Sequence, residues 1–176
     1  ILRLIGNVYV ELIRGTPMLL QILFLYIAFP LLMRSITGER FIPDPYVCGA
    51  IAMSINSGAY STELIRSGIM GVDKGQWEAC EVLGLNYTQT MKLIILPQAF
   101  KRIIPPIVSE FITLIKDSSL ISVLGATELL YSAQILGANT FNLIPPLLAS
   151  AVLYLIMTLT TSYFARKIER RLSVSD

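Results

Sequence analysis

Long stretches without charge constrain this chain most strongly. Residues 16–33 and 46–62 carry no charged side chain, and between residues 118 and 165 the only charge is Glu128. About 20 helical residues cross a hydrocarbon core, so runs of this length predict membrane-spanning helices. Only 15% of the 176 residues are charged, whereas soluble domains have about 25%. We therefore predict an all-α polytopic membrane bundle.

The positions of these runs predict four spans. They are span A (16–33), span B (46–65), span C (from Ile103, interrupted at 116–119) and span D (143–164). Thr16 is expected to cap span A, Pro17 to lie in its first turn and Pro30 to kink its far end. A short apolar helix over about 120–136 is expected to follow the interruption without crossing fully.

The distribution of Lys and Arg predicts the orientation of the spans. With the N-terminus inside, 11 of these residues fall inside and three outside, which satisfies the positive-inside rule. The inside set is Arg3, Arg14, Arg66, Lys74, Lys92, Lys101, Arg102, Arg166, Lys167, Arg170 and Arg171, and the outside set is Arg34, Arg40 and Lys116. This orientation places residues 66–102 and the basic C-terminal tail in the cytoplasm.

The polar section between spans B and C predicts two short helices joined by a turn. Residues 73–76 (Asp-Lys-Gly-Gln) and 86–89 (Asn-Tyr-Thr-Gln) each resemble a capping box. Gly84 suits the turn that ends the first helix, and Pro97 is expected to end the second by Leu96. An apolar stripe is predicted on the second helix, formed by Tyr87, Met91, Ile94 and Ile95.

The spacing in this hairpin is specific. Glu78-Ala79-Cys80, then three residues, Gly84, nine residues and Ile94-x-Leu96-Pro97 resemble the EAA loop of ABC importer permeases, with Cys80 where Ala is usual. The resemblance implies that residues 73–97, within a single domain of residues 1–176, contain the coupling helix that docks on an ATPase. The implied docking residues are Glu78, Ala79, Cys80, Gly84, Leu85, Ile94, Leu96 and Pro97.

Further motifs narrow the resemblance to polar amino acid permeases, the histidine, glutamine, arginine and glutamate group. They are Arg-Gly-Thr-Pro at 14–17, Ala-Tyr-x-x-Glu-x-x-Arg at 59–66, Leu-Pro-Gln-Ala at 96–99 and Lys-Asp-Ser-Ser-Leu at 116–120. The resemblance covers residues 9–171 and implies a type I (MetI-like) permease fold. That family normally has one more span ahead of this region, so its first span is expected to be missing before Ile1.

Four polar residues in the spans are candidates for the substrate pathway. Glu110 lies within span C, where an unpaired charge is costly, so it either contacts the cationic group of an amino acid or pairs with a neighbouring helix. Ser109 stands where the family commonly has Asn. Asn56 and Ser57 either line the pathway or join helices through hydrogen bonds.

Charged residues near the ends of spans have structural interpretations. Glu63 and Arg66, three residues apart, predict a local ion pair. Arg14 is expected to anchor span A at the inner headgroups. Lys116 and Asp117 are expected to pair at the break in span C, where freed backbone groups need partners. Such a break can also line a cavity, which leaves a gating role open.

The sequence also indicates what the chain lacks. It has no His, two Cys and no Gly-rich phosphate loop of the Walker type, so we expect neither a metal site, nor enzymatic activity, nor a cofactor of its own. The resemblance implies that ATP and Mg²⁺ are bound by two partner ATPases, with a second identical or homologous permease and an extracytoplasmic amino-acid-binding protein. It implies a bacterial inner membrane location in contact with lipid, and no nucleic acid.

Two other function classes compete with this interpretation. One is a permease of the same architecture for methionine or an osmoprotectant, which the motifs at 14–17 and 116–120 argue against. The other is an ion-coupled secondary transporter, which is expected to show an internal repeat around a midplane site. The sequence contains no such repeat and cannot name the amino acid.

Overall fold

The computed structural model describes residues 1–173, with side chains through residue 168, and every element in this part is helical. The helices are α1 (Leu2–Arg14), α2 (Met18–Thr37), α3 (Pro45–Met70), α4 (Lys74–Val82), α5 (residues 87–117), α6 (Leu129–Thr140) and α7 (Ile144–Ser173). A 3₁₀ segment, Ser118–Leu124, joins α5 to the loop before α6. Arg170 and Arg171 of the basic tail lie outside the described side chains.

Among the described residues, two helices are long and apolar enough to cross a membrane. They are Met18–Thr37 and Ile144–Ile168, with mean hydropathies of 1.9 and 1.7. The 26-residue helix α3 is also long enough, but it is richer in small polar residues. Such residues favour helix–helix contact over lipid contact. Spans A and D are therefore supported by composition and length, and crossing by spans B and C stays a prediction.

The helix predicted as span A continues beyond its predicted end. Pro30 lies in the first turn of the α-helical part Phe29–Thr37, directly after a π-helical turn at Phe24–Ala28. A π turn inserts one extra residue into the hydrogen-bond ladder, and the proline sits just where this irregularity ends. The helix therefore ends only at Gly38, whose φ is +76°.

The predicted end of the second hairpin helix at Leu96 is wrong. Tyr87–Gln89, a π turn at Thr90–Ile95 and Leu96–Asp117 follow one another without a break, and together they are α5. Pro97 occupies the first turn after the π turn, where its missing N–H is tolerated. The second hairpin helix is therefore the beginning of span C.

Two apolar clusters hold the described bundle together. One joins α4 to α3 and α5 through Val72, Ile95, Ala99 and Ile103, with Trp77, Met91, Ile94 and Ile69 around them. The other joins α2, α3 and the 3₁₀ segment through Ile22, Ala52, Ile121 and Ala126, with Met18, Leu25, Leu120 and Leu124 around them. Tyr87 is 73% exposed and does not belong to the predicted apolar stripe, whereas the other three stripe residues pack inward.

Close packing of α3 on α5 gives a first prediction. A Cβ placed on Gly68 would overlap Cγ1 of Ile103, which is buried. Overpacking of this kind costs about 1–3 kcal/mol, so Gly68→Val is expected to lower the thermal midpoint of the detergent-solubilised protein by several degrees. Thermal unfolding followed by circular dichroism measures this shift.

The control for this prediction is Gly6→Val in α1, because a Cβ at Gly6 has no heavy atom within 4 Å. Both variants place a β-branched residue in a helix, so their difference reports the close packing of Gly68 on α5, chiefly on Ile103. Ile103→Ala added to Gly68→Val should restore part of the loss. Equal midpoints for the two glycine variants would exclude tight packing at this site.

Candidate functional site

The surface hairpin begins with a side-chain cap. Asp73 accepts a hydrogen bond from the backbone N–H of Gly75 at 2.7 Å. The predicted reciprocal contact from Gln76 is wrong, because the Gln76 side-chain oxygen accepts instead from Nε2 of Gln98 at 3.1 Å. The start of α4 is thereby linked to α5.

The turn of the hairpin follows the prediction closely. Gly84 has φ +69°, and the N–H of Leu85 donates to the Cys80 carbonyl at 3.0 Å, which closes the end of α4. Asn86 and Gln89 form the predicted capping box, with both hydrogen bonds at 3.0 Å.

The predicted docking residues fall into two groups in the structure. Cys80 is buried, and Leu85 and Ile94 are half-buried, so these three support the hairpin from within. The exposed ones are Glu78, Ala79, Gly84, Leu96 and Pro97.

The hairpin has an apolar tip that the sequence patterns did not predict. Val82, Leu83 and Tyr87 flank Gly84 and are 89%, 74% and 73% exposed. Large apolar side chains grouped at a polar surface are typical of contact sites. Their signal in the sequence is an apolar pair inside an otherwise polar segment.

A second candidate site is a cleft of about 520 Å³ between the α1–α2 junction, α3 and α5. Its lining residues are Arg14, Gly15, Thr16, Pro17, Met18, Asn56, Tyr60, Glu110, Thr113 and Asp117. The cleft unites Glu110 and Asn56, predicted for the pathway, with four residues to which the sequence analysis gave structural roles. Ser57 and Ser109 are not among the lining residues, and Ser109 lies exposed on α5.

Opposite charges line the cleft without neutralising one another. Glu110 and Asp117 are both half-buried on α5, and their separation of seven residues places them on one face of that helix. The Arg14 guanidinium lies 5.4 Å from the centre of the Tyr60 ring. Within the described side chains, Arg14 forms no ion pair with either carboxylate. The cleft is therefore complementary to a ligand that carries both charges.

The structure places Arg14 at the cleft, and its predicted role as a headgroup anchor stays a prediction. Arg14 ends α1, a helix that the sequence analysis did not predict, and stacks on Tyr60. Tyr60 precedes the end of α3 at Met70 by ten residues, which is about 15 Å along the helix. The Arg14 side chain itself is exposed at the edge of the cleft.

Gln21 joins the cleft walls behind Asn56. Its Nε2 donates to the carbonyl of Ile13 at 2.8 Å and to the hydroxyl of Thr16 at 2.9 Å, and its oxygen accepts from Nδ2 of Asn56 at 3.1 Å. Thr16 does not cap α2, because its hydroxyl donates back to the Leu12 carbonyl at 2.9 Å. The buried Asn56 thus joins two helices and also lines the cleft.

Two predicted ion pairs have different outcomes. Glu63 and Arg66 form theirs through two hydrogen bonds, one of them 2.9 Å long. Lys116 and Asp117, both described, form no ion pair with each other. They are consecutive on a helix, and consecutive side chains diverge.

Comparisons with known proteins agree with these features. Residues 1–174 match the family described as binding-protein-dependent transport system inner membrane component. The chain is 44% identical to a putative glutamine transport system permease protein GlnP of Rickettsia bellii, over 99% of this chain and 77% of that protein. It is 38% identical to the arginine transport system permease protein ArtQ of Bacillus subtilis, over 98% and 76%.

A solved structure supports the fold. The crystal structure of an amino acid ABC transporter with histidines superimposes with a TM-score of 0.85 at 38% identity, over 96% of this chain and 75% of that one. The chain thus belongs to the family of binding-protein-dependent transport system inner membrane components and has the MetI-like, all-α fold of ABC importer permeases.

Proposed function

We propose that this chain is the translocation subunit of an ATP-driven importer for polar amino acids. The observation that carries the proposal is the cleft, which is lined by Arg14 together with Glu110 and Asp117. Similarity to permeases named for glutamine and arginine transport supports this cargo class.

The chemistry of the cleft fits an α-amino acid. At neutral pH such a ligand carries an ammonium and a carboxylate. The ammonium complements Glu110 and Asp117, and the carboxylate complements Arg14. Tyr60 and Thr113 offer hydroxyl groups to a polar side chain. Of the ten lining residues, only Pro17 and Met18 bring larger apolar side chains, which favours polar cargo over methionine.

The hairpin of residues 73–97 is the proposed docking surface for a partner ATPase, which holds ATP and Mg²⁺. Its apolar tip, Val82, Leu83 and Tyr87, is available for contact, and the Gln76–Gln98 hydrogen bond passes displacement of α4 to α5. In this arrangement the hairpin and the C-terminus are cytoplasmic. A second permease completes the pathway, and an external binding protein delivers the amino acid.

Reconstitution tests the proposal. Proteoliposomes that contain this permease, its partner permease if one exists, and the ATPase are loaded with ATP, and the binding protein is added outside. We expect uptake of labelled L-glutamine or L-arginine that requires ATP inside and binding protein outside. Uptake is measured by rapid filtration.

The control vesicles contain a non-hydrolysable ATP analogue. Uptake that persists in them and follows an imposed proton or sodium gradient would favour a secondary transporter and contradict the proposal. Uptake restricted to a quaternary-ammonium solute would contradict the cargo class alone.

A further inference from the structure

Glu128, the lone charge between residues 118 and 165, has a specific set of partners. Its Oε1 accepts from the N–H of Tyr131 at 2.6 Å and its Oε2 from the N–H of Leu130 at 2.8 Å, so it caps α6. The same Oε2 accepts a third hydrogen bond, 2.9 Å long, from the hydroxyl of Tyr154 in α7. Capping alone would need only a short polar side chain, so the third bond calls for its own explanation.

The third bond anchors the end of a segment, residues 118–128, which we name the strap. The hydroxyls of Ser118 and Ser119, at its beginning, lie beside the hydroxyl of Tyr154. Glu128, at its end, binds the same hydroxyl. Tyr154 of α7 therefore bonds to the end of the strap and lies near its beginning.

A second tyrosine holds the strap from the opposite side. Tyr46, in the first turn of α3, donates to the carbonyl of Thr127 at 3.2 Å and accepts from its N–H at 2.8 Å. Gly125 turns the strap with φ +79°. The strap is thus fixed by side chains from two different helices.

The strap covers one end of the cleft. Along one face of α3, Tyr60 and Asn56 line the cleft, whereas Ala52 and then Gly49 lie under Ile121 of the strap. A Cβ at Gly49 would overlap Cγ2 of Ile121, so no space remains between the two. A solute that leaves the cleft toward the start of α3 meets the strap.

We infer that the strap is a gate over this end of the cleft and that the Glu128–Tyr154 hydrogen bond is its latch. Glu128 is a positioning residue, because it acts through Tyr154 and does not line the cleft. The inference rests on the proposed function for the side of the membrane that the gate faces, since the start of α3 is outside in the proposed orientation. Opening outward then requires that this bond break.

Cysteine accessibility tests the latch. In a background with Cys48→Ala and Cys80→Ala, the cleft residue change Thr113→Cys provides a reporter thiol. Whole cells expressing the complete transporter are treated with a charged, membrane-impermeant methanethiosulfonate, and the labelling rate is measured. We expect Tyr154→Phe to raise the rate about fivefold, the shift that loss of one hydrogen bond produces.

Glu128→Asp provides an independent route to the same change. Its side chain is about 1.5 Å shorter, so it still caps α6 but does not reach Tyr154. We expect the same rise in the labelling rate. The variant that combines Glu128→Asp with Tyr154→Phe should show no further rise, because both changes break the same hydrogen bond. Tyr163→Phe, the same change at an exposed position of α7, should match the parent.

Three outcomes would overturn the inference. They are unchanged labelling in Tyr154→Phe, additive rates in the double variant, and an equal rise at a reporter buried in α6 by Ala133→Cys, which would indicate general loosening. The labelling needs no transport, so it is independent of the uptake assay. If uptake of the amino acid were absent but the labelling rate still depended on Tyr154, the proposed cargo would be contradicted and the gate would be retained.

Discussion

Gly84→Pro is expected to abolish binding of the partner ATPase while the permease still inserts into the membrane. Gly84 has φ +69°, whereas proline is fixed near −65°. Proline also removes the N–H that donates to the Glu81 carbonyl at 3.0 Å. The turn therefore cannot form, and the apolar tip loses its shape. Pull-down of the ATPase from solubilised membranes, normalised to permease content, measures the effect.

Two further substitutions at Gly84 isolate the backbone as the cause. A Cβ at this position has no heavy atom within 4 Å, so any loss arises from the positive φ and not from crowding. Gly84→Val should lower binding about tenfold, since a left-handed conformation costs about 1–2 kcal/mol. Gly84→Asn should retain most binding, because Asn tolerates this conformation. Equal binding by the valine and asparagine variants would contradict the assignment of the hairpin as docking surface.

Glu110→Gln is expected to lower amino acid uptake about 10- to 100-fold, because a hydrogen bond to a charged group contributes about 1.5–3 kcal/mol. Glu110 lines the cleft, is half-buried and has no hydrogen-bond or ion-pair partner among the described side chains. Neutralising it removes a contact that the ammonium of the cargo would otherwise make. Uptake into proteoliposomes measures the loss.

The matched control for this prediction is Glu39→Gln in the exposed loop between α2 and α3, which should transport normally. ATPase binding should be unchanged in both variants, since neither residue lies in the hairpin. Normal uptake by Glu110→Gln would leave only the alternative that Glu110 has a structural role.

The sequence predicted features that depend on local chemistry. The capping box at Asn86 and Gln89 and the turn at Gly84 are confirmed because both are decided within a few residues. The capping box predicted at Asp73 is confirmed only in part. Asp73 caps the helix, but the Gln76 side chain bonds to a distant residue, Gln98. A partner 22 residues away leaves no signal in a local pattern.

The remaining features that the sequence did not predict share a cause in long-range packing. Pro97 does not end its helix, since a π turn precedes it and the surrounding cluster at Ile95 and Ala99 holds the chain helical. The position of Arg14 in the cleft depends on α1 packing against α3, where the Tyr9 hydroxyl donates to the Ile55 carbonyl. Charge patterns alone could not predict that Arg14 lies against the Tyr60 ring.

The continuity of α5 has a mechanical consequence. From residue 87 to residue 117 there are 30 helical steps without a break, which span about 45 Å at 1.5 Å per residue. A tilt of about 5° around the Asn86 end would displace Asp117 by about 4 Å over that length. The 3₁₀ segment starts at Ser118, so one continuous helix, which includes Pro105 and Pro106, connects the hairpin surface with the far end of the bundle.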